Sequence, residues 1–309
     1  MRTPRTTRVI SLLALLGAAG CHRGAAGDSK PAERPALTRL GLSIADLSDG
    51  RVAALRSAAR DAHVELVVGG ATVGVKPQPL QVAELLEAHV AALLLVPSSP
   101  DLLHEIARTA ASKSVPLVAI GRGDGRVGAW VGLKSGTLAK EAGEAAGRAL
   151  RKAGCVKPRV IVVETSRWPE TSRRIEATLK AMEGECGGVE VVVRLTQCET
   201  QAETERLLDE GLARTNSIDA IVAAEPAPTA GAWSAVARSA FKDRAFVVGV
   251  TDDAALVEKA RAAASRLIVV AWRRDELGTK AIEAALAATK GDAARSLQEV
   301  GATVVAAGD

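Results

Sequence analysis

The sequence predicts an α/β protein built as two lobes, each around a doubly wound parallel sheet. Three observations carry this. Short β-branched, apolar runs recur along the chain and are continuous rather than alternating, which marks strands buried on both faces of a parallel sheet. Amphipathic helical periods lie between them, so strand–helix units repeat about every 25 to 30 residues and call for right-handed crossovers. The strands are too many for one comfortable sheet, and the glycine-rich stretch Gly121–Gly136, which lacks helical period, divides the series.

The predicted strands run Leu40–Ala45, Val64–Val68, Ala91–Val96 and Pro116–Ile120 before that break. After it come Val160–Glu164, Val189–Leu195, Ala220–Ala224, Ala245–Val250 and Leu267–Ala271. Helical faces fill the gaps. Val82, Leu85, Leu86 and His89 share one stripe, and Leu102, Leu103, Ile106 and Ala110 the next. Lys134–Lys152 reads the same way through Leu138, Ala142, Ala145 and Ala149, as does a later helix through Ile175, Leu179 and Met182.

The N-terminus predicts export. Arg2, Arg5 and Arg8 precede the apolar run Val9–Leu16 and the small residues Gly17–Gly20, the order of a secretory signal. That run is too short to span a bilayer, which needs about 20 apolar residues. Ala18–Cys21 resembles a bacterial lipobox, with Ala18 where Leu is usual; the resemblance implies lipidation of Cys21. Residues 1–20 are thus read as the signal peptide, and 21–36, small, polar and Pro-containing, as lipidated cysteine and flexible tether. The expected location is the periplasmic side of the cell envelope, with the membrane touched only through the anchor.

The net charge of +4 falls to +1 without the three signal arginines, and no basic stripe interleaved with aromatics exists, so no nucleic-acid partner is expected. In an oxidising compartment two cysteines can pair. Cys155 with Cys186, each between a helix and the next strand, is the pairing read here, beside the alternative of three free thiols with Cys198.

The run Leu40–Ala45, followed by a helix ending Ala58–Ala62, resembles the opening unit of ribose-type (type I) periplasmic binding proteins. Leu93–Ser99, Val115–Ile120, Val247–Thr251 and Gly278–Ala281 continue the resemblance in order across residues 37–309. It implies two Rossmann-like lobes joined by a three-strand hinge and closing on a ligand. The implied division is 37–131 plus 272–296 for the N-terminal lobe, and 132–271 plus 297–309 for the C-terminal lobe. The implied partners are a small ligand and an ABC permease or a membrane sensor, and the chain is expected to be a monomer.

Ligands of open α/β sheets sit beyond the carboxyl ends of strands. The residues there include Asp46, Asp49 and Arg122 from the first lobe, and Trp168, Glu225, Thr251 and Trp272 from the second or its hinge. The sugar-binding relatives imply an Asp-Arg pair, of which Arg122 remains but Gly121 replaces the Asp, and a second-lobe arginine matched by Arg173. Their aromatic pair becomes Arg51 and Val52. Their Asn, Asp and Gln become Glu225, Thr251 and Trp272. The scarce aromatics Trp130, Trp168 and Trp272 fall near strand ends and suggest a rebuilt stacking surface, against the alternative that they plug the crevice between the lobes or pack under loops, while Trp233 sits on a helix. Arg122, Arg173 and Arg273 read as an anion-binding cluster, against the alternative of solvated loop charges.

No histidine stands at metal-ligand spacing from a Cys, Asp or Glu, and no P-loop, G-x-S-x-G elbow or dinucleotide fingerprint follows a strand. The expectation is a binding protein without cofactor or catalytic site: a solute-binding lipoprotein of an ABC importer or, alternatively, a sensory or structural lipoprotein on the same fold.

Overall fold

The computed structural model describes residues 37–307, apart from 46, 48, 70–75, 124–127, 134, 166–167 and 293–296. The segments read as signal and tether, with Cys21, and also Asp46 lie outside the described residues. The first half of the chain runs β1 (Arg39–Ile44), α1 (Gly50–Asp61), β2 (Glu65–Val68), α2 (Gln78–Glu87), β3 (Ala92–Val96), α3 (Pro100–Ser112), β4 (Leu117–Gly121) and β5 (Ala129–Gly132). Then come α4 (Ser135–Lys152), β6 (Arg159–Val163), α5 (Pro169–Cys186), β7 (Glu190–Leu195), α6 (Gln201–Ala213), β8 (Ala220–Ala223), α7 (Pro226–Arg238), β9 (Phe246–Thr251), α8 (Ala254–Arg261) and β10 (Leu267–Trp272). The chain ends with α9 (Arg274–Thr289), β11 (Leu297–Glu299) and β12 (Ala302–Val305).

Two six-stranded sheets result, with orders β11-β5-β4-β3-β1-β2 and β12-β10-β9-β8-β6-β7. Strand for strand this is the same doubly wound order twice, and each sheet reverses its winding beside its first strand, β1 or β6. All pairings in the first sheet are parallel; in the second only β12 runs antiparallel, against β10. The continuous apolar runs are central strands: every residue of β3 and β9 is buried, whereas the edge strands β2 and β7 are partly exposed.

All nine predicted strands form, within about a residue at each end. The region read as a loop-like break also contains a strand, β5, which the neighbours β4 and β11 hold by parallel pairing. The chain passes from the first sheet to the second after β5, returns after β10 so that α9 packs on α1, β3, β4 and β5, and leaves again after β11. Since β11 pairs with β5 as far as Glu299, the last crossing falls at Val300–Gly301, later than the expected residue 296.

Helix starts are set locally. Ser99 Oγ accepts from Leu102 N at α3, and Thr200 and Glu203 form a reciprocal capping box at α6. One apolar cluster runs from the α1/α9 side of the first sheet to the α4/α5 layer of the second, and the outer face of each sheet has its own. α4 and α5 approach so closely that a Cβ at Gly143 would stand 2.3 Å from the Thr178 carbonyl oxygen. The glycine in the middle of a long helix is the means of that approach.

Candidate ligand-binding cleft

The carboxyl ends of both sheets open onto one cavity of about 590 Å³. The first sheet contributes the turns after β1, β3 and β4; the second contributes the starts of α6, α7 and α8, the end of β10 and one side chain of α5. The volume lies in the range of small-molecule sites.

Its walls are charged, and the charges are paired. Asp49 caps α1, its Oδ1 accepting from Arg51 N at 2.8 Å, while the Arg51 guanidinium folds back on the same carboxylate with Nε 2.9 and 3.0 Å from its two oxygens. Burial works against the ionised carboxylate, but Arg51's hydrogen bonds and charge, with Arg274 behind, hold Asp49 below its usual range. Burial likewise opposes the Arg51 charge, and Asp49, Asp252 and Glu225 outweigh it, so its pKa is raised.

Glu225, after β8, is the hub. Its Oε1 accepts from Thr171 Oγ1 at 2.9 Å and faces Arg174 Nη1 at 3.3 Å; its Oε2 stands 3.3 Å from Arg122 Nη2. The residue is buried, which would raise its pKa, yet the Arg122 and Arg174 charges and the Thr171 hydroxyl lower it. Arg122 belongs to the first sheet and Glu225 to the second, so this ion pair bridges the lobes. A second bridge joins Arg274, at the start of α9, to Asp252, after β9, at 2.9 and 3.1 Å.

The predicted site residues divide between the cleft and its surroundings. Asp49, Arg122, Glu225, Thr251 and Trp272 line the cavity. Thr251 is fully buried and its Oγ1 accepts from Asp253 N, shaping the turn into α8. Trp272 is 8% exposed, and its indole N–H has no partner. Trp168 lies outside the lining: it is buried in the apolar cluster of α2, α3, β3 and β4, with Arg122 5.5 Å from its ring centroid. Trp130 packs against the same cluster, so the stacking surface expected of three tryptophans reduces to Trp272.

Arg173 points away, three-quarters exposed and ion-paired to Glu170, and the inward arginine is Arg174. The reason is helical phase. Arg174 lies three residues after Thr171 and four before Thr178, the buried row of α5, and Arg173 is off that row. The same displacement occurs at α9, where Arg273 is exposed on Asp275 while Arg274, in phase with buried Leu277 and Gly278, faces the cleft. The expected anion cluster of Arg122, Arg173 and Arg273 is therefore not assembled. Sequence reasoning also missed Glu199 as a lining residue; the period of α5 and α9 was the available signal for the two arginines.

Cys155, Cys186 and Cys198 are free thiols, so the pairing read for Cys155 and Cys186 is not formed. Cys155 Sγ lies 3.8 Å from Asp219 Oδ1, and Cys186 Sγ donates to the Gly147 carbonyl at 3.2 Å, each thiol engaged with an oxygen rather than with the other sulfur. Among the described residues no group of three or more His, Cys, Asp or Glu could hold a metal ion, and no helix is long and apolar enough to cross a membrane.

A family model described as a periplasmic binding protein domain matches residues 51–293. No curated protein matches. Among solved structures, GanP, a glucose-galactose binding protein from Geobacillus stearothermophilus, superposes with a TM-score of 0.71 at 15% identity, over 88% of this chain and 98% of that one. An ABC transporter solute binding protein from Bacillus halodurans with bound myo-inositol gives 0.73 at 19% identity, covering 89% and 96%. XylFII in its complex with LytSN gives 0.70 at 16%, covering 88% and 98%. These identities carry the fold alone, while the family model spans most of both lobes. The chain belongs to the periplasmic binding protein family.

Proposed function

We propose that this protein is an exported, lipid-anchored solute-binding protein that closes on a small polar or ring-bearing ligand and presents it to an ABC-type importer. The observation that carries the reading is the cavity between the carboxyl ends of the two sheets, lined from both lobes and carrying one buried tryptophan. A ligand seated there touches both lobes at once, so its binding energy favours the closed arrangement, which a membrane partner can recognise. Similar folds bind glucose-galactose or myo-inositol, which supports a polyhydroxyl-sized ligand. Gly121, Glu225, Thr251 and Trp272 stand where sugar-binding relatives carry other groups, so the grip differs from theirs.

Thermal-shift screening of the purified chain against sugars, nucleosides, amino acids and anions tests this. A ligand at a hundred times its Kd stabilises by about 2.7 kcal/mol, a shift of several degrees that Trp272→Ala removes. Silence across the library would instead favour a sensory or structural lipoprotein. That second reading draws support from the lobes being bridged by their own ion pairs, and from the fold occurring in the XylFII–LytSN complex. The anchor is tested separately: Cys21→Ser should move the protein from the membrane to the soluble fraction and abolish incorporation of labelled fatty acid.

A further inference from the structure

The charge balance of the cleft bears on what enters it. Its described lining carries four arginines and five carboxylates, with no lysine or histidine. All four guanidinium groups are engaged: Arg51 by Asp49, Arg274 by Asp252, and Arg122 and Arg174 by the shared Glu225. An entering anion would find no free guanidinium and would have to displace an internal carboxylate.

The carboxylates are not equally engaged. Asp49, Glu225 and Asp252 hold the arginines, and Asp253 Oδ1 caps α8 through Ala255 N at 2.8 Å. Glu199, just before α6, is left over. Its Oε1 is buried without a hydrogen-bond partner, and Arg122, the cation it meets among the described residues, stands 4.0 Å from its Oε2, the outer limit of an ion pair. The Glu199 side chain is 29% exposed on the cavity wall, so a ligand can reach it there, and a cationic donor satisfies a carboxylate better than a hydroxyl does. The cleft also holds an aromatic face, Trp272, and indole is the best of the aromatic platforms for a cation.

We propose that the ligand is a polar ring compound bearing a protonated amine, of the amino-sugar or amino-cyclitol class, and that Glu199 is the specificity residue that receives the amine. This rests on the cleft being a small-ligand site, as proposed above. Neutral polyols fit the same space but leave the Glu199 charge with Arg122 at 4.0 Å, and uronate-type acids add a negative charge beside it.

Compounds that share a ring and differ in one charged substituent test the proposal. Calorimetric titration of the full chain, in detergent at pH 7, compares glucose with glucosamine and glucuronate, and myo-inositol with an aminodeoxyinositol and an inositol phosphate. The amine should bind about tenfold more tightly than its hydroxyl counterpart, and the acid should bind least. Glu199→Gln should collapse the difference between amine and hydroxyl, with the unliganded melting temperature reporting that the variant is folded. Equal binding of amine and hydroxyl, or preference for the acid, overturns the amine assignment while leaving a ligand cleft. A difference that survives Glu199→Gln overturns the role of Glu199. Absence of binding by every member of both sets, with the protein folded, overturns the amine proposal, and the library screen then decides whether the cleft takes any small ligand.

Discussion

The cleft and the α4–α5 layer behind the second sheet both bring distant segments together, by opposite means. In the cleft, contact between the lobes is made by charged side chains: Arg122 on Glu225 and Arg274 on Asp252. Between α4 and α5 it is made by the absence of side chains, since Gly143 and Gly147 let one helix lie against the other, and Cys186 and Met182 are buried there. Ion pairs can exchange partners with water or a ligand; interdigitated backbone cannot. On the proposed function the cleft is the surface that opens, and the helix layer is the part that holds its lobe together while it does.

The largest break of this contrast should come from Glu225→Ala. It leaves Arg122 and Arg174 close together without their shared carboxylate, and removing one partner of a buried charge group typically costs about 3–5 kcal/mol. Chemical denaturation measures it, and a loss below about 1 kcal/mol would mean that the hub is solvated. The same hub gives a pH dependence. Glu225 and Asp49 have lowered pKa values in the folded protein, so their contribution is complete above the ordinary carboxylate pKa, about 4, and is lost as pH falls through the folded values. Melting temperature against pH should decline at acid pH, and Glu225→Gln should flatten part of that decline.

Gly143→Val comes next, at about 1–3 kcal/mol, because the new side chain meets the Thr178 carbonyl. Its cost should not change between low and high salt, whereas that of breaking the partly exposed Arg274–Asp252 pair should shrink in 1 M salt. Arg274→Ala should cost about 1 kcal/mol, since its pair with Asp252 is partly open to solvent. Arg273→Ala, one residue away and exposed, should leave the melting temperature unchanged; a loss matching that of Arg274→Ala would erase the distinction between the two arginines.

The fold was legible because its strands are buried on both faces, and β3 or β9 needs no knowledge of its neighbours to be recognised. Three strands were not marked as such. β5 is short and glycine-flanked, and β11 and β12 are three and four residues long; each exists by pairing with a strand distant in sequence. The cleft was half legible. Residues immediately after strands, such as Asp49, Arg122, Glu225 and Trp272, were found because strand ends point at the site. Arg174 and Arg274 sit inside helices, where a shift of one residue turns a side chain by about 100°. Trp168 was misplaced because a residue at a strand end can still turn its ring into the opposite lobe's apolar cluster, which no local pattern records.

The position of β11 has a consequence for synthesis and export. The N-terminal lobe takes its edge strand, and the helix α9 that covers α1, from the last part of the chain. A ribosome or translocation pore releasing this polypeptide from its N-terminus delivers the first lobe early but unfinished. The lobe begun first is completed only after the second has emerged, so maturation is governed by the tail, and loss of residues 297–305 would turn β5 and β10 into edge strands.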